Sequence, residues 1–304
     1  VGLGLFVSAS LGILAKNSST FYSVLFSQLV LGLGLGAVAM YASFKIPYKF
    51  WRNYAFYIFI GAILLTAAVF IPHLGWSHGG ARRWLNFGFF SFQPVEILKF
   101  AFIIYFAAWL SWAKHRVTDF RFGILPLGIM LAVIALVLFK QPDTKSFILI
   151  TMVGISMLFI SGVPVKYILG IGLGAIFVLS TLVYFTPYLQ KRVKTFIDPS
   201  SDPRGSSYQI RQSFIALGGG GIFGRGFGQS IQKFSYLPEP QGDSIFAVLG
   251  EELGFIGGFG VITLYVLFAL RGFRIANNSP DSFGRLLISG IVILITLQSF
   301  MHIA

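Results

Sequence analysis

The sequence predicts an all-α polytopic membrane protein with about nine spans and a large loop between the seventh and eighth. Three observations carry that prediction. Hydrophobic residues make up 56% of the chain and charged residues 11%, against roughly 25% charged in soluble domains. The apolar residues lie in long continuous runs, and about 20 such residues in helical form cross a bilayer. A membrane β-barrel would show short alternating segments instead.

In chain order the apolar runs fall at about 1–15, 21–42, 54–71, 95–113, 122–139, 146–162, 165–187, 245–270 and 285–304. The chain opens and closes inside apolar runs, without an initiator Met or a signal-peptide pattern, so both ends are expected to be trimmed. One set of short loops holds Lys45, Lys49, Arg52, Lys114, Arg116, Arg121, Lys166, Arg271, Arg274 and Arg285. The other set holds fewer cations: Lys16, Arg82, Arg83, Lys140 and Lys145. The positive-inside rule makes the first set cytoplasmic and puts the segments 72–94 and 188–244 outside. The 188–244 segment is too long for an ordinary connection and too aromatic for disorder, so it is expected to pack on the outer face. The whole chain reads as a single integral-membrane domain, residues 1–304.

Cysteine is absent, which excludes disulfides, thiolate nucleophiles and Cys-ligated metals. The net charge of +13 suits an anionic partner, lipid headgroups at least, although positive-inside loops supply part of it. The basic residues are scattered between spans, so nucleic acid is not an expected partner. His73, His78, His115 and His302 are dispersed and lack metal-ligand spacing.

The glycine run at Gly32, Gly34 and Gly36 follows no strand and reads as close helix packing. "GGGGIFGRGFG" (218–228) lacks the Lys-Ser/Thr of a phosphate loop. With Arg225 inside it and Lys233 after it, it reads either as an anion-approaching turn or as a plain loop. Glu96 and Lys99 stand three residues apart on one helix face, either as a structural ion pair or as the lining of a polar cavity. Asp143, beside Lys140 and Lys145, belongs to the same class.

Ten acidic residues serve the whole chain, and four of them fall in "YLPEPQGDSIFAVLGEELGF" (236–255): Glu239, Asp243, Glu251 and Glu252. Asp243 stands where the loop ends and the apolar run begins, the position of a helix N-cap. Asp243, Ala247 and Glu251 share one helical face. Capping accounts for Asp243 but not for the two glutamates inside an apolar helix.

Ordered motifs along nearly the whole chain resemble one family. They are "SAS" (8–10), "GGARRWLNFGFFSFQPVEILK" (79–99), "QPD" (141–143), and the long stretch from "FIDPSSDPRGSSYQIRQSF" through "SYLPEPQGDSIFAVLGEELGFIGG" (196–258). They resemble the SEDS family of peptidoglycan glycosyltransferases, which includes FtsW, RodA and SpoVE. "GRGFGQSIQKFSYLPE" leans towards the division branch, FtsW. The chain departs from the family where Gln241, Gly242, Asp243 and Ser244 stand in place of His-Thr-Asp-Phe, and where Ser235 replaces a Glu found in some members.

The resemblance implies ten spans, and a bacterial cytoplasmic (inner) membrane protein with its catalytic loop outside. It implies polymerisation of lipid II into β-1,4-linked glycan strands with inversion. Asp243 is then the general base on the acceptor hydroxyl, since an ionised carboxylate can take the proton as the bond forms. Glu239, Arg82, Arg83, Lys191, Arg192, Lys194, Arg211, Gln212, Ser213, Arg225 and Lys233 become candidates for binding the anionic lipid substrate. Glu96 with Lys99 forms a cavity pair, and Asp143, Glu251 and Glu252 are further acids with a role to assign. A divalent cation, Mg or Mn, held in part by Asp243 or Glu239, is compatible with this chemistry. The expected partners are a class B penicillin-binding transpeptidase and other divisome membrane proteins. The competing readings are a RodA-type elongation polymerase, a lipid II flippase, and a scaffold without chemistry.

Overall fold

The computed structural model describes residues 2–14, 26–72, 74–78, 81–86, 91–198, 207–238 and 240–303. The chain divides into two compact units. One comprises Val1–Ala42, Ile176–Val266 and Phe300–Ala304; the other comprises Ser43–Ala175 and Leu267–Ser299.

The expected apolar runs become helices. The first is α1 (Gly2–Leu14), and a π-helical stretch Ser27–Gly34 leads into α2 (Leu35–Lys45). Then come α3 (Tyr48–Asn53), α4 (Ala55–Ala67), α5 (Pro94–Ala113), α6 (Ile124–Lys140), α7 (Thr144–Ile160) and α8 (Val165–Phe185). The long loop holds α9 (Pro187–Ile197), α10 (Tyr208–Gly220) and α11 (Gln232–Ser235), and α12 (Ile245–Asn277) and α13 (Ser282–Ile303) follow. Among the described residues, α5, α8, α12 and α13 are each long and apolar enough to cross a membrane. Shorter apolar helices lie at Gly2–Leu11, Ala55–Phe70, Ile124–Lys140 and Thr144–Ile160.

The all-α expectation needs one correction. Within 72–94 the chain forms a three-stranded antiparallel sheet, β1 (Gly75–His78), β2 (Ala81–Asn86) and β3 (Ser91–Phe92). Trp76 faces Trp84 across the first pair, and a bulge between Trp76 and Ser77 shifts the register. Cross-strand aromatic pairs favour this arrangement in a segment too short and polar to span.

In the second unit α5 is the central element. Leu98, Phe102, Phe106 and Leu110 recur every fourth residue and are fully buried. Pro94 starts the helix, where a missing N–H costs nothing. α7 closes on α5 and α6 at Gly154, where an added Cβ would stand 2.7 Å from Leu127 and 3.1 Å from Phe102.

In the first unit the decisive feature is a break in α12. Gly254 has φ 67 and ψ −164, so the run expected as one helix over 245–270 is two helical pieces. The loop after α10 repairs the break. Arg225 and Gly226 donate their amides to the carbonyls of Glu251 and Glu252, each at 3.0 Å. Phe255 and Ile256 donate theirs to Gly221 (2.9 Å) and Ile222 (3.2 Å). "GGGGIFGRGFG" is therefore a backbone clamp rather than a plain loop. Only glycine permits the approach: a Cβ on Gly224 would meet the Glu252 carbonyl oxygen at 2.2 Å, and one on Gly254 would meet the Gly224 nitrogen at 2.3 Å.

Gly254→Val adds a β-branched side chain at positive φ and directs it into that backbone. The expected result is a loss of more than about 1–3 kcal/mol, the usual cost of such a conformation alone, read as a lower unfolding midpoint in detergent.

Candidate active site

α12 begins at Ile245, and the carbonyl of Ser244 accepts the amides of Ala247 (3.1 Å) and Val248 (3.2 Å). Ser244 thus holds the N-cap position expected of Asp243, which stands one residue earlier. The Ser244 hydroxyl donates to Pro238 O at 3.0 Å and accepts from Gln209 Nε2 at 3.1 Å. These bonds fix the turn that carries Asp243. The Asp243 side chain is 67% exposed, and its Oδ1 lies 3.8 Å from Nδ1 of His302 on α13.

The shared face of Asp243, Ala247 and Glu251 is not a solvent face, because Ala247 and Glu251 are buried. Glu251 turns to the preceding loop. Its carboxylate accepts from Ser230 Oγ (2.5 Å), Ile231 N (3.1 Å) and Gln232 N (3.3 Å), at the start of α11. Arg225 Nε lies 3.6 Å from the same group and donates to Gly219 O at 3.1 Å. Glu252 takes a different set. Lys233 Nζ donates to it at 2.6 Å, and Ser8 Oγ lies 2.7 Å from both carboxylate oxygens. The side chains of Lys233 and Glu252 have no exposure at all.

These contacts correct the reading of several candidates. Lys233 does not face an outer surface, and its ammonium is consumed by the protein. Glu251 and Glu252 are buried and hold the loop in place. Arg225 stays partly exposed but is engaged by Glu251. In the second unit, Arg83 donates to the carbonyls of Gln141 and Pro142, and Gln141 Nε2 donates to Thr66 O at 2.7 Å. Arg83 thus braces the turn before α7. Asp143 is buried and caps α7 through Ser146 N at 3.3 Å, while its Oδ2 has no hydrogen-bond partner among the described residues. Lys99 is buried, donating to Glu96 at 2.8 Å and to Gln298 Oε1 at 3.2 Å, so the expected pair forms.

Arg82, Lys194 and Arg211 are exposed, while Gln212 and Ser213 are half-buried on α10. The side chains of Lys191 and Arg192, and all of Glu239, lie outside the described residues. His302 is the neighbour that sequence reasoning missed, since its distance along the chain from Asp243 leaves no spacing signal. Among the described residues no group of three His, Asp or Glu side chains gathers to hold a metal ion. The described residues therefore do not form a ready cage for the divalent cation, and no step is assigned to it.

A mostly helical chain with several helices long and apolar enough to cross a membrane defines a helical integral membrane protein. The family model for FtsW, RodA and SpoVE, described as a cell cycle protein, matches residues 1–304, and the chain belongs to that family. A probable peptidoglycan glycosyltransferase FtsW of Geobacter sulfurreducens is 40% identical over 275 residues, covering 90% of this chain and 73% of that protein. Stage V sporulation protein E of Bacillus subtilis is 39% identical over 271 residues, covering 89% and 74%. Among solved structures, a chain from a peptidoglycan synthase complex that coordinates polymerization and crosslinking matches with TM-score 0.76. Its identity is 27%, over 99% of this chain and 85% of its own. The rod shape determining protein RodA of Thermus thermophilus shares the fold, with TM-score 0.64 at 22% identity over 97% and 79%.

Glu252→Gln leaves the buried Lys233 ammonium without its counter-charge. The expected loss is about 3–5 kcal/mol, and the Lys233→Met/Glu252→Gln double variant should lose less. Denaturant unfolding in detergent measures both.

Proposed function

We propose that the chain is a peptidoglycan glycosyltransferase of the division type, polymerising lipid II into glycan strands. The observation that carries this reading is the 40% identity to a probable peptidoglycan glycosyltransferase FtsW across 90% of the chain. The geometry supplies a suitable acid, because Asp243 is exposed while Glu251 and Glu252 of the same stretch are buried and engaged.

In this reading the acceptor sugar's 4-hydroxyl oxygen attacks the anomeric carbon of the lipid-linked donor. A new carbon–oxygen bond forms as the bond to the pyrophosphate breaks, so the α-linked donor gives a β-1,4 product. The proton passes from the hydroxyl to the Asp243 carboxylate. The leaving lipid pyrophosphate carries the released electron pair, and nearby cations stabilise that charge. Lys194 and Arg211, in the same unit as Asp243, are exposed and suit that role, whereas Lys233 is not available for it. The reaction takes place on the outer face of the bacterial cytoplasmic membrane. A class B penicillin-binding transpeptidase is the proposed partner, in keeping with the synthase complex that the fold matches.

Asp243→Asn keeps the shape and polarity of the turn but cannot accept the proton. We expect that variant to fold, to insert and to lose about 10²–10⁴-fold in lipid II polymerisation. Purified protein in detergent with lipid II, with and without the transpeptidase, measures it. Detergent removes the second compartment, so a flippase would make no polymer. Full activity of Asp243→Asn would remove Asp243 from the chemistry.

A further inference from the structure

The reaction leaves a buried ionic cluster unused. Lys233 spends all three ammonium donors inside the protein: Glu252 Oε1 at 2.6 Å, Gly228 O at 2.9 Å and Ser8 Oγ at 3.1 Å. Ser8 in turn shares its single hydroxyl proton between the two Glu252 oxygens, both at 2.7 Å. All three residues are buried. They come from three segments: α1, the short α11 and α12.

Helix packing alone does not call for this arrangement. Ala9 of α1, Ala216 of α10, Leu237 just after α11, and Ala247 and Val248 of α12 already form a buried apolar cluster. A buried ion pair is often no more stabilising than apolar residues of similar volume, and its best-attested use is to fix a register. The register at stake here is that of Asp243. It lies ten residues after Lys233 and nine before Glu252, near the middle of the loop that the ion pair closes. Within that loop Leu237 is anchored in the apolar cluster, and Ser244 ties back to Pro238 and Gln209. Glu251 adds a second tie by accepting the amides at the start of α11.

Resting on the glycosyl-transfer reading, we propose that Ser8, Lys233 and Glu252 are positioning residues that set the place of the Asp243 carboxylate against the acceptor hydroxyl. They never touch substrate. Their effect falls on the chemical step, where a displacement of about 1 Å can cost roughly 100-fold. The "SAS" motif of the first span gains a role by the same argument, through the Ser8 hydroxyl.

The test is steady-state polymerisation of lipid II by the full chain in detergent. The variants are Lys233→Met/Glu252→Gln, the charge exchange Lys233→Glu/Glu252→Lys, and the milder Ser8→Ala. The neutral pair is expected to lower kcat about 100-fold with KM for lipid II unchanged. The charge exchange should recover at least a tenth of wild-type kcat. Ser8→Ala alters one hydroxyl, so it keeps the question answerable if a double variant fails to fold. It should lower kcat per folded molecule severalfold, again at constant KM, with a modest fall in unfolding midpoint. Wild-type kcat per folded molecule in Ser8→Ala or in the neutral pair would overturn the proposal. So would losses that follow only the fraction of folded protein. An inactive wild type with its partner present would instead defeat the polymerase reading itself, which keeps the two failures apart.

Discussion

The first unit depends on one constraint: backbone amides and carbonyls in an apolar setting must find partners within the protein. α12 violates its own hydrogen-bond ladder at Gly254, and the carbonyls of Glu251 and Glu252 would otherwise be stranded. The loop after α10 supplies the missing donors and acceptors, so break and loop cannot exist separately. The requirement reaches back into composition. Gly220, Gly224 and Gly254 sit where a Cβ would lie between 1.9 and 2.3 Å from another backbone atom. A run of glycines that looks like flexible punctuation is a set of contact points.

The same break explains why two adjacent glutamates can be useful in an apolar helix. Consecutive helical side chains point about 100° apart, so Glu251 and Glu252 address different neighbours. One receives the start of α11 and the other receives Lys233 and Ser8. Together with the two amide–carbonyl pairs at 225 and 226, they bind the loop to α12 through both main chain and side chain. A segment held in that way behaves as part of the helix scaffold, which is what a site built on a loop otherwise lacks.

How far this was legible in the sequence depends on what kind of force decides each feature. Apolar run length located most of the long helices to within a few residues, because burial in a bilayer is a bulk property of about 20 neighbours. The pair Glu96 and Lys99 was legible because helix geometry alone brings positions three apart together. The sheet at 75–92 was not, since its strands are short and rest on cross-strand partners such as Trp76 and Trp84. The break at Gly254 was not, since "GEELGFIGG" is equally compatible with a continuous glycine-containing helix. Lys233 misled for a related reason. A lysine in a polar-looking loop reads as exposed until its partners, Glu252 and Ser8, are known to be close. Contact across the fold, as between Asp243 and His302, leaves no trace in spacing.

Scarcity sharpens the choice of Asp243. With only ten acidic residues against 23 lysines and arginines, carboxylates are scarce, and among those described Asp119 and Asp198 are exposed as Asp243 is. Among those described, Asp143 caps α7, Asp281 accepts the Gly284 amide at the start of α13, and Glu96 holds Lys99. Glu251 and Glu252 hold the loop. Each of these is explained by a backbone or cationic partner that a reacting sugar would have to displace. The turn of Asp243 is fixed by Ser244, Pro238 and Gln209, and its side chain is exposed, with Oδ1 3.8 Å from Nδ1 of His302. A general base needs both properties, a rigid mount and an approachable oxygen. The neighbouring glutamates provide the rigidity that the proposed positioning role requires, although they are buried.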